Sequence, residues 1–483
     1  MSELPVGWAV STIGQLNEYV TENINPSKHQ SQVFELYSVP AYPSNQPEVL
    51  TGKDIGSSKQ CVKPNDVLLC KINPRINRVW QVRGKHSHEQ IASSEWIAIR
   101  QPLLDSRFLR YQLQETSFRE KLCAEVSGVG GSLTRAQPKK VQHYELHIAP
   151  LSEQKRIAQK LDALLAQVDA LKARIDAVPA MLKRFRESVL RAAVSGRLTE
   201  DWRVSNQGLT TRTMLDRFEP LPPPARYKSR SDVFIQGVYG TAVGKPKVQL
   251  VDAWEWTPLV QVARMESGHT PSRDVTDYWN GNVPWIGIKD ARINHEKTIY
   301  STLQKTNQLG LDNSAARLLP EGTVCISRTA SVGYVVKMGI PMATSQDFVN
   351  WVPTDCVDSD WLKWLFVAEK ESLFRFGKGT THTTVYFPEW LSLHVALPHV
   401  EEQRLIAARV QSLLDLADRL GDRVVAAQNR INTLTQSLLA KAFRGELVPQ
   451  DPNDEPASAL LERIRAQRAT APKPKRGRKA TTN

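Results

Sequence analysis

EQKRIAQKLDALLAQVDALKAR at residues 153–174 and EQRLIAARVQSLLDLADRLGDR at residues 402–423 are two versions of one helical pattern. Aligned at a constant offset of 249 without a gap, residues 153–198 and 402–447 are identical at 15 of 46 positions. Repetition on this scale decides architecture before any motif is considered. In the first copy the apolar residues run Ile157, Leu161, Leu164, Val168, Leu171, Ile175, Val178, Leu182, with spacings that alternate between four and three. In the second copy Ile406, Val410, Leu413, Ala417, Leu420, Val424, Ala427, Ile431 and Leu434 keep the same alternation. Sustained a/d spacing predicts a coiled-coil seam. The matched seams predict that the two helices pack on each other as an antiparallel pair.

The helix ends are also alike. Gly196 and Gly445 follow AAVS and KAFR, where glycine can take the left-handed conformation that closes a helix. Ser152 is placed to cap the first helix. Pro179 lies mid-helix, removes an amide donor, and predicts a kink or break.

A similar domain precedes each helix. Short apolar strands, 66–70 and 322–326, follow Pro-containing leads (VKPND, LLPEG) and run into polar, basic loops, KINPRINRVW at 71–80 and SRTASVGYV at 327–335. Then come a helix and a Gly/Ser/Thr-rich segment, VSGVGGSLTRAQPKK at 126–140 and GKGTTHTTVYFPEW at 377–390. The expected fold class is α+β: two mixed α/β recognition domains separated by an antiparallel coiled coil of two long helices, with a pseudo-two-fold repeat. The boundaries are 1–150 for the first domain, 151–200 for the first helix, and 201–250 for a Pro/Gly-rich linker. The second domain spans 251–398, the second helix 399–447, and a short helix with a basic tail 448–483.

The chain has 483 residues, enough for several cores, and carries 63 Lys and Arg against 50 Asp and Glu, a net charge of +13. That excess points to a polyanion partner, most simply nucleic acid. Lys473-Pro-Lys-Arg-Gly-Arg-Lys479 contributes to it, as a solubilising tail or a loose phosphate contact. No apolar run is long enough for a membrane span, and MSELPVGWAV lacks the pattern of a secretory signal. The five scattered cysteines have no metal-ligand spacing and read as reduced thiols, so a cytoplasmic protein is expected.

Catalytic motifs are missing from the sequence. GTAVGK at 240–245 resembles a phosphate loop, but three residues separate its glycines and Pro246 stands where a magnesium-ligating hydroxyl belongs. There is no GxSxG elbow and no HExxH helix. Asn73-Pro74-Arg75 only begins like the tetrapeptide of amino-methylating enzymes, and Gly128–Gly131 lies outside any strand-to-helix turn. The chain therefore reads as a recogniser. Two basic domains held apart by a helical spacer suit a bipartite duplex, because Arg and Lys bind phosphates and Arg, Asn, Gln, Ser and Thr serve base edges. The contact candidates are Lys71, Arg75, Asn77, Arg78, Ser132, Thr134, Arg135 and Lys139 in the first domain. In the second they are Lys289, Arg328, Thr329, Lys378, Thr380, Thr381, His382 and Thr383. Two other readings stand beside this one: a self-sufficient nuclease or methyltransferase, and a coiled-coil scaffold whose globular domains bind protein.

Leu4-Pro-Val-Gly-Trp8, Pro150-Leu-Ser-Glu-Gln154, LKRFRESVLRAAVSGRLTEDWR at 182–203, SGHTPSRDVTDYWNGNVPWIGIKD at 267–290, LTQSLLAKAFRGELVPQD at 434–451 and SALLERIRAQRA at 458–469 carry a resemblance. Together they make the chain resemble, nearly end to end, the specificity subunit of type I restriction–modification systems. His269 departs from the family's usual glycine. The resemblance implies two target-recognition domains reading an interrupted site on double-stranded DNA, with the paired helices as ruler and platform. It implies two modification (methyltransferase) subunits and restriction (translocase and nuclease) subunits as partners. S-adenosylmethionine, ATP and magnesium would be bound by those partners, with no cofactor or catalytic residue in this chain.

Overall fold

The repeated pattern folds into two helices of equal length, Leu151–Val194 and Val400–Phe443, each 44 residues long. At about 1.5 Å per residue each spans about 66 Å. The computed structural model describes residues 4–84, 87–127, 134–222, 224, 234–329, 331–378 and 383–470. The chain divides into two compact units, Met1–Asp176 with Val425–Asn483, and Ala177–Val424. Each unit thus contains part of both long helices.

In the first unit the early turns of the first helix, at Ile157, Ala158 and Leu161, pack with Leu439, Ala442 and Phe443 from the last turns of the second. In the second unit Val189, Ala193 and Val194 pack with Ile406, Ala407, Val410 and Leu414. Beginning meets end in both units, so the helices pair antiparallel. Gly196 and Gly445 close them with φ of 77° and 73°.

Three local expectations change. The first helix starts at Leu151, so Ser152 lies exposed in its first turn and does not cap it. Pro179 sits inside a continuous helix. One missing amide donor is a local cost, outweighed by the docking of both helix ends. Of the seam residues, Leu161, Val168 and Val410 are buried, and Leu164, Ile175, Leu182, Leu413, Val424 and Ile431 are half-buried. Leu171, Leu420 and Leu434 are exposed at 50%, 38% and 47%. A seam between only two helices leaves its flanks open, and Leu161 and Val410 are buried where residues of the globular parts join the helices in one core.

The two globular parts share a frame. In the first unit the strand Ala9–Thr12 pairs antiparallel with Glu145–Ile148, which leads into the first long helix. In the second unit Glu255–Pro258 pairs antiparallel with Leu393–Leu397, which leads into the second long helix. A buried strand, Val67–Cys70 or Val324–Ser327, lies at the centre of a further sheet in each unit. Helices Ser106–Gln114 and Ser359–Ala368 follow, capped by Asp105 and Asp358.

The stretch read as a linker is built into the second unit. It carries helices Glu200–Ser205 and Thr211–Leu215, and its strand Thr241–Val243 pairs with Leu393–Leu397. Buried Glu369 accepts the amides of Val238 and Tyr239 at 3.2 and 2.9 Å and that of Gly240, which pins the turn before that strand. The final helix, Ala457–Thr470, buries Ala457, Leu460, Leu461 and Ile464 in the core of the first unit.

Candidate nucleic-acid interface

The same two loops meet in each unit. In the first, the loop after Val67–Cys70 joins the segment 134–136 through an Ile72–Arg135 bridge. The Asn73 amide donates to the Thr134 carbonyl at 2.9 Å, and the Ala136 amide to the Lys71 carbonyl at 2.8 Å. In the second, the loop after Val324–Ser327 meets the segment 383–385. The Val385 amide donates to the Arg328 carbonyl at 3.0 Å, and the Thr329 and Thr384 hydroxyls lie 3.1 Å apart. Lys378 and Thr384 form a bridge within that second segment. The basic loops and the Gly/Thr-rich segments, far apart in sequence, therefore make one surface per unit.

Within these surfaces the candidates differ in what their side chains do. Arg75, Arg135, Lys139 and Lys378 are exposed, Lys71, Thr329 and Thr383 are half-buried, and Thr134 is buried. Arg135 pairs with Glu95 at 3.1 Å and Lys378 with Glu389 at 3.8 Å. The Arg328 guanidinium lies 4.5 Å from the centre of the Phe387 ring. Asn77 and Arg78 hold the loop's own frame. Asn77 has φ of 50° and its Nδ2 donates to the Gln114 carbonyl at 2.8 Å, while Arg78 donates to the Ile72 carbonyl at 3.4 Å. Lys289 is exposed on a separate short helix, Ile288–Ile293. Ser132, Thr380, Thr381 and His382 lie outside the described residues, as do Gly128–Gly131 and the basic tail.

A basic cleft in the first unit was not anticipated from sequence. Arg83, Arg110, Arg119 and Lys172 line it together with Tyr42 and Tyr111, around a volume of about 970 Å³. Arg110 stacks over Tyr111 at 4.3 Å, and the Tyr111 hydroxyl donates to Asp162 at 2.5 Å. Burial and that carboxylate push the Tyr111 hydroxyl's pKa up, so it stays a neutral donor. Arg110 and Arg119 lie on successive helices, Ser106–Gln114 and Thr116–Ala124, and only their convergence with Arg83 and Lys172 sets them apart.

Behind these surfaces, the Glu-Gln pair that opens each repeat is buried and hydrogen-bonded. Trp8 Nε1 donates to buried Glu153 at 3.0 Å, and Gln154 accepts the Asp105 amide at 3.0 Å while donating to the Ala149 carbonyl. Trp254 Nε1 donates to buried Glu402 at 2.8 Å, and Gln403 accepts the Asp358 amide at 2.8 Å while donating to the Pro398 carbonyl. Each pair thus ties the domain's first strand, its capped helix and its last strand to the head of a long helix.

Both halves of this duplicated arrangement, residues 5–180 and 252–421, match the family model of the type I restriction modification DNA specificity domain. The chain belongs to that family. It is 25% identical over 519 residues to the type I restriction enzyme EcoKI specificity subunit of Escherichia coli K12, covering 99% of each chain. It is 29% identical over 403 residues to the EcoBI specificity subunit of Escherichia coli, covering 78% of each. Its fold is similar to that of the HsdS subunit from Thermoanaerobacter tengcongensis, with a TM-score of 0.57 at 19% identity over 92% of this chain and 99% of that one. A chain from a structure describing complex assembly and conformational transition of the type I R-M system aligns with a TM-score of 0.62 at 19% identity, over 92% of this chain and 100% of that one. Recognition of DNA by two specificity domains is the role of the family to which these residues belong.

Proposed function

We propose that each unit reads one half of an interrupted duplex site through its paired loops, as the sequence-specific subunit of a type I restriction–modification complex. The observation that carries this reading is the repeated meeting of a basic loop with a Gly/Thr-rich segment beyond the same central strand. The long helices serve as ruler and as platform for two methyltransferase subunits. Exposed apolar side chains along them, Leu171, Met181, Val425 and Leu434 among them, support that second role. Methyl transfer, ATP-driven translocation and cleavage fall to the methyltransferase and restriction subunits, which bind S-adenosylmethionine, ATP and magnesium. The complex works on chromosomal and invading DNA in the cytoplasm. Among the described residues no helix is long and apolar enough to cross a membrane.

The test is binding of the assembled complex to random duplexes at moderate salt, with methylated adenines mapped in the host genome. A bipartite site with fixed spacer, bound more weakly as salt rises, is the expected result. No preference among duplexes would overturn the reading.

A further inference from the structure

The two Glu-Gln pairs are equivalent in sequence but differ in partners. Glu402 is fully buried and takes three donors: Trp254, the Thr199 hydroxyl at 2.6 Å and the Arg203 guanidinium at 2.5 Å. Arg203 also lies 5.7 Å from the centre of the Trp254 ring, so indole, carboxylate and guanidinium form one closed knot. Glu153 is 1% exposed, takes Trp8 on one oxygen, and leaves Oε1 buried with no hydrogen-bond partner among the described residues. At the repeat's offset of 249, Val448 and Pro452 stand where Thr199 and Arg203 stand in the other half, and neither can donate from its side chain. The segment after the second long helix makes a different tie, Asp454 to Arg156 at 2.6 Å. Its nearest counterpart in the second unit is Asp201 to Arg409 at 2.7 Å. Each unit therefore has an aspartate–arginine tie, and only the second adds an arginine to the buried glutamate.

We propose that the Glu-Gln pair is a positioning device that fixes each recognition domain on the head of its long helix, and that the first domain is held more loosely than the second because, among the described residues, no arginine hydrogen-bonds to Glu153. A buried carboxylate with a guanidinium, a hydroxyl and an indole is satisfied; one with an indole alone retains part of its desolvation penalty. Burial pushes the Glu153 carboxyl up from its ordinary value, against the opposing effects of the Trp8 indole and the nearby Arg156 charge, in keeping with that deficit. The half-site consequence rests on the function proposed above: the first domain has more angular freedom over its half-site.

Hydrogen exchange on the full chain tests the device without DNA. The Asp105 amide, held by Gln154, should exchange at least about tenfold faster than the Asp358 amide, held by Gln403. Arg203→Met should bring Asp358 to the rate of Asp105, and Arg203→Met with Glu402→Gln should restore much of its protection. Glu153→Gln, which keeps an acceptor for Trp8 and removes the charge, should leave Asp105 as slow as in the parent chain or slower. Equal protection of the two amides, or no response to Arg203→Met, overturns the proposal. In the assembled methyltransferase complex, Glu153→Ala should relax methylation specificity at one half-site and Arg203→Met at the other, with Glu153→Gln unchanged from the parent. Altered exchange with unaltered half-site specificity overturns the positioning role. A parent complex with no site preference overturns the DNA-reading assignment instead.

Discussion

Arg100 holds Asp66 in a two-pronged ion pair, Nε to Oδ1 at 2.7 Å and Nη2 to Oδ2 at 2.5 Å, with Asp66 only 1% exposed. Asp66 also accepts the Lys63 amide at 2.8 Å, closing the turn that launches the buried strand Val67–Cys70 and the basic loop beyond it. Asp66→Ala leaves a half-buried guanidinium without its carboxylate and removes the acceptor of the Lys63 amide, which together cost about 2 kcal/mol. Urea unfolding of the full chain should show a midpoint shifted to lower denaturant. A shift no larger than that of an exposed pair such as Arg463–Glu455 would contradict this account.

The contact surfaces predict separable losses. Arg135→Ala and Arg328→Ala should each lower discrimination at a single half-site by roughly tenfold or more, since a good base contact is worth about 1–3 kcal/mol. Competition binding of the assembled complex against duplexes mutated in one half-site at a time distinguishes them. Equal loss at both half-sites from either substitution would indicate a folding defect.

The heptad repeat was legible because its spacing survives divergence of the surface, and it carried both helices and the duplicated architecture. The role of its first two residues was not legible: Trp8 and Glu153 are 145 residues apart, and no local pattern links them. Asn77 and Arg78 have the residue types of DNA contacts, and what sequence did not show is that each also bonds within the fold, Asn77 from a left-handed backbone to the Gln114 carbonyl and Arg78 to the Ile72 carbonyl. Gly/Pro composition hid the strand Thr241–Val243, which is too short to show a period and exists only because Leu393–Leu397 pairs with it. Leu171 and Leu420 have the right spacing for a seam, but spacing does not reveal how many layers will cover it.

His295 introduces a pH dependence in the second unit. Its Nδ1 accepts the Val335 amide at 3.1 Å, which fixes the strand Val335–Met338 and requires the neutral ring. Burial, the main cause, holds its pKa below the ordinary value, with Lys370 acting in the same direction and Glu296 and the Val335 carbonyl opposing. A base whose folded pKa is depressed contributes its full stability above the unfolded value of about 6.5 and loses it as pH falls toward the folded value. The full chain should therefore lose stability between pH 7.5 and 5.5. His295→Asn, whose Oδ1 can accept the same amide, should flatten that part of the profile. Urea midpoints at the two pH values decide it; an unchanged slope in the variant would assign the effect to other groups.

The ruler makes a quantitative prediction. Seven residues inserted after Asp176 in the first long helix and seven after Val424 in the second preserve the heptad phase to within about 20°. They lengthen each helix by about 10.5 Å at 1.5 Å per residue. Duplex DNA advances about 3.4 Å per base pair, so the preferred spacer between half-sites should grow by about three base pairs while both half-sites stay the same. An insertion of two residues in each helix instead rotates the seam by about 200° at 3.6 residues per turn. Leu182 and its neighbours would then leave the partner helix, and specific methylation should be lost. Methylation of a duplex library with spacers of every length reads both outcomes. An unchanged spacer in the seven-residue variant would show that the helices do not set the distance.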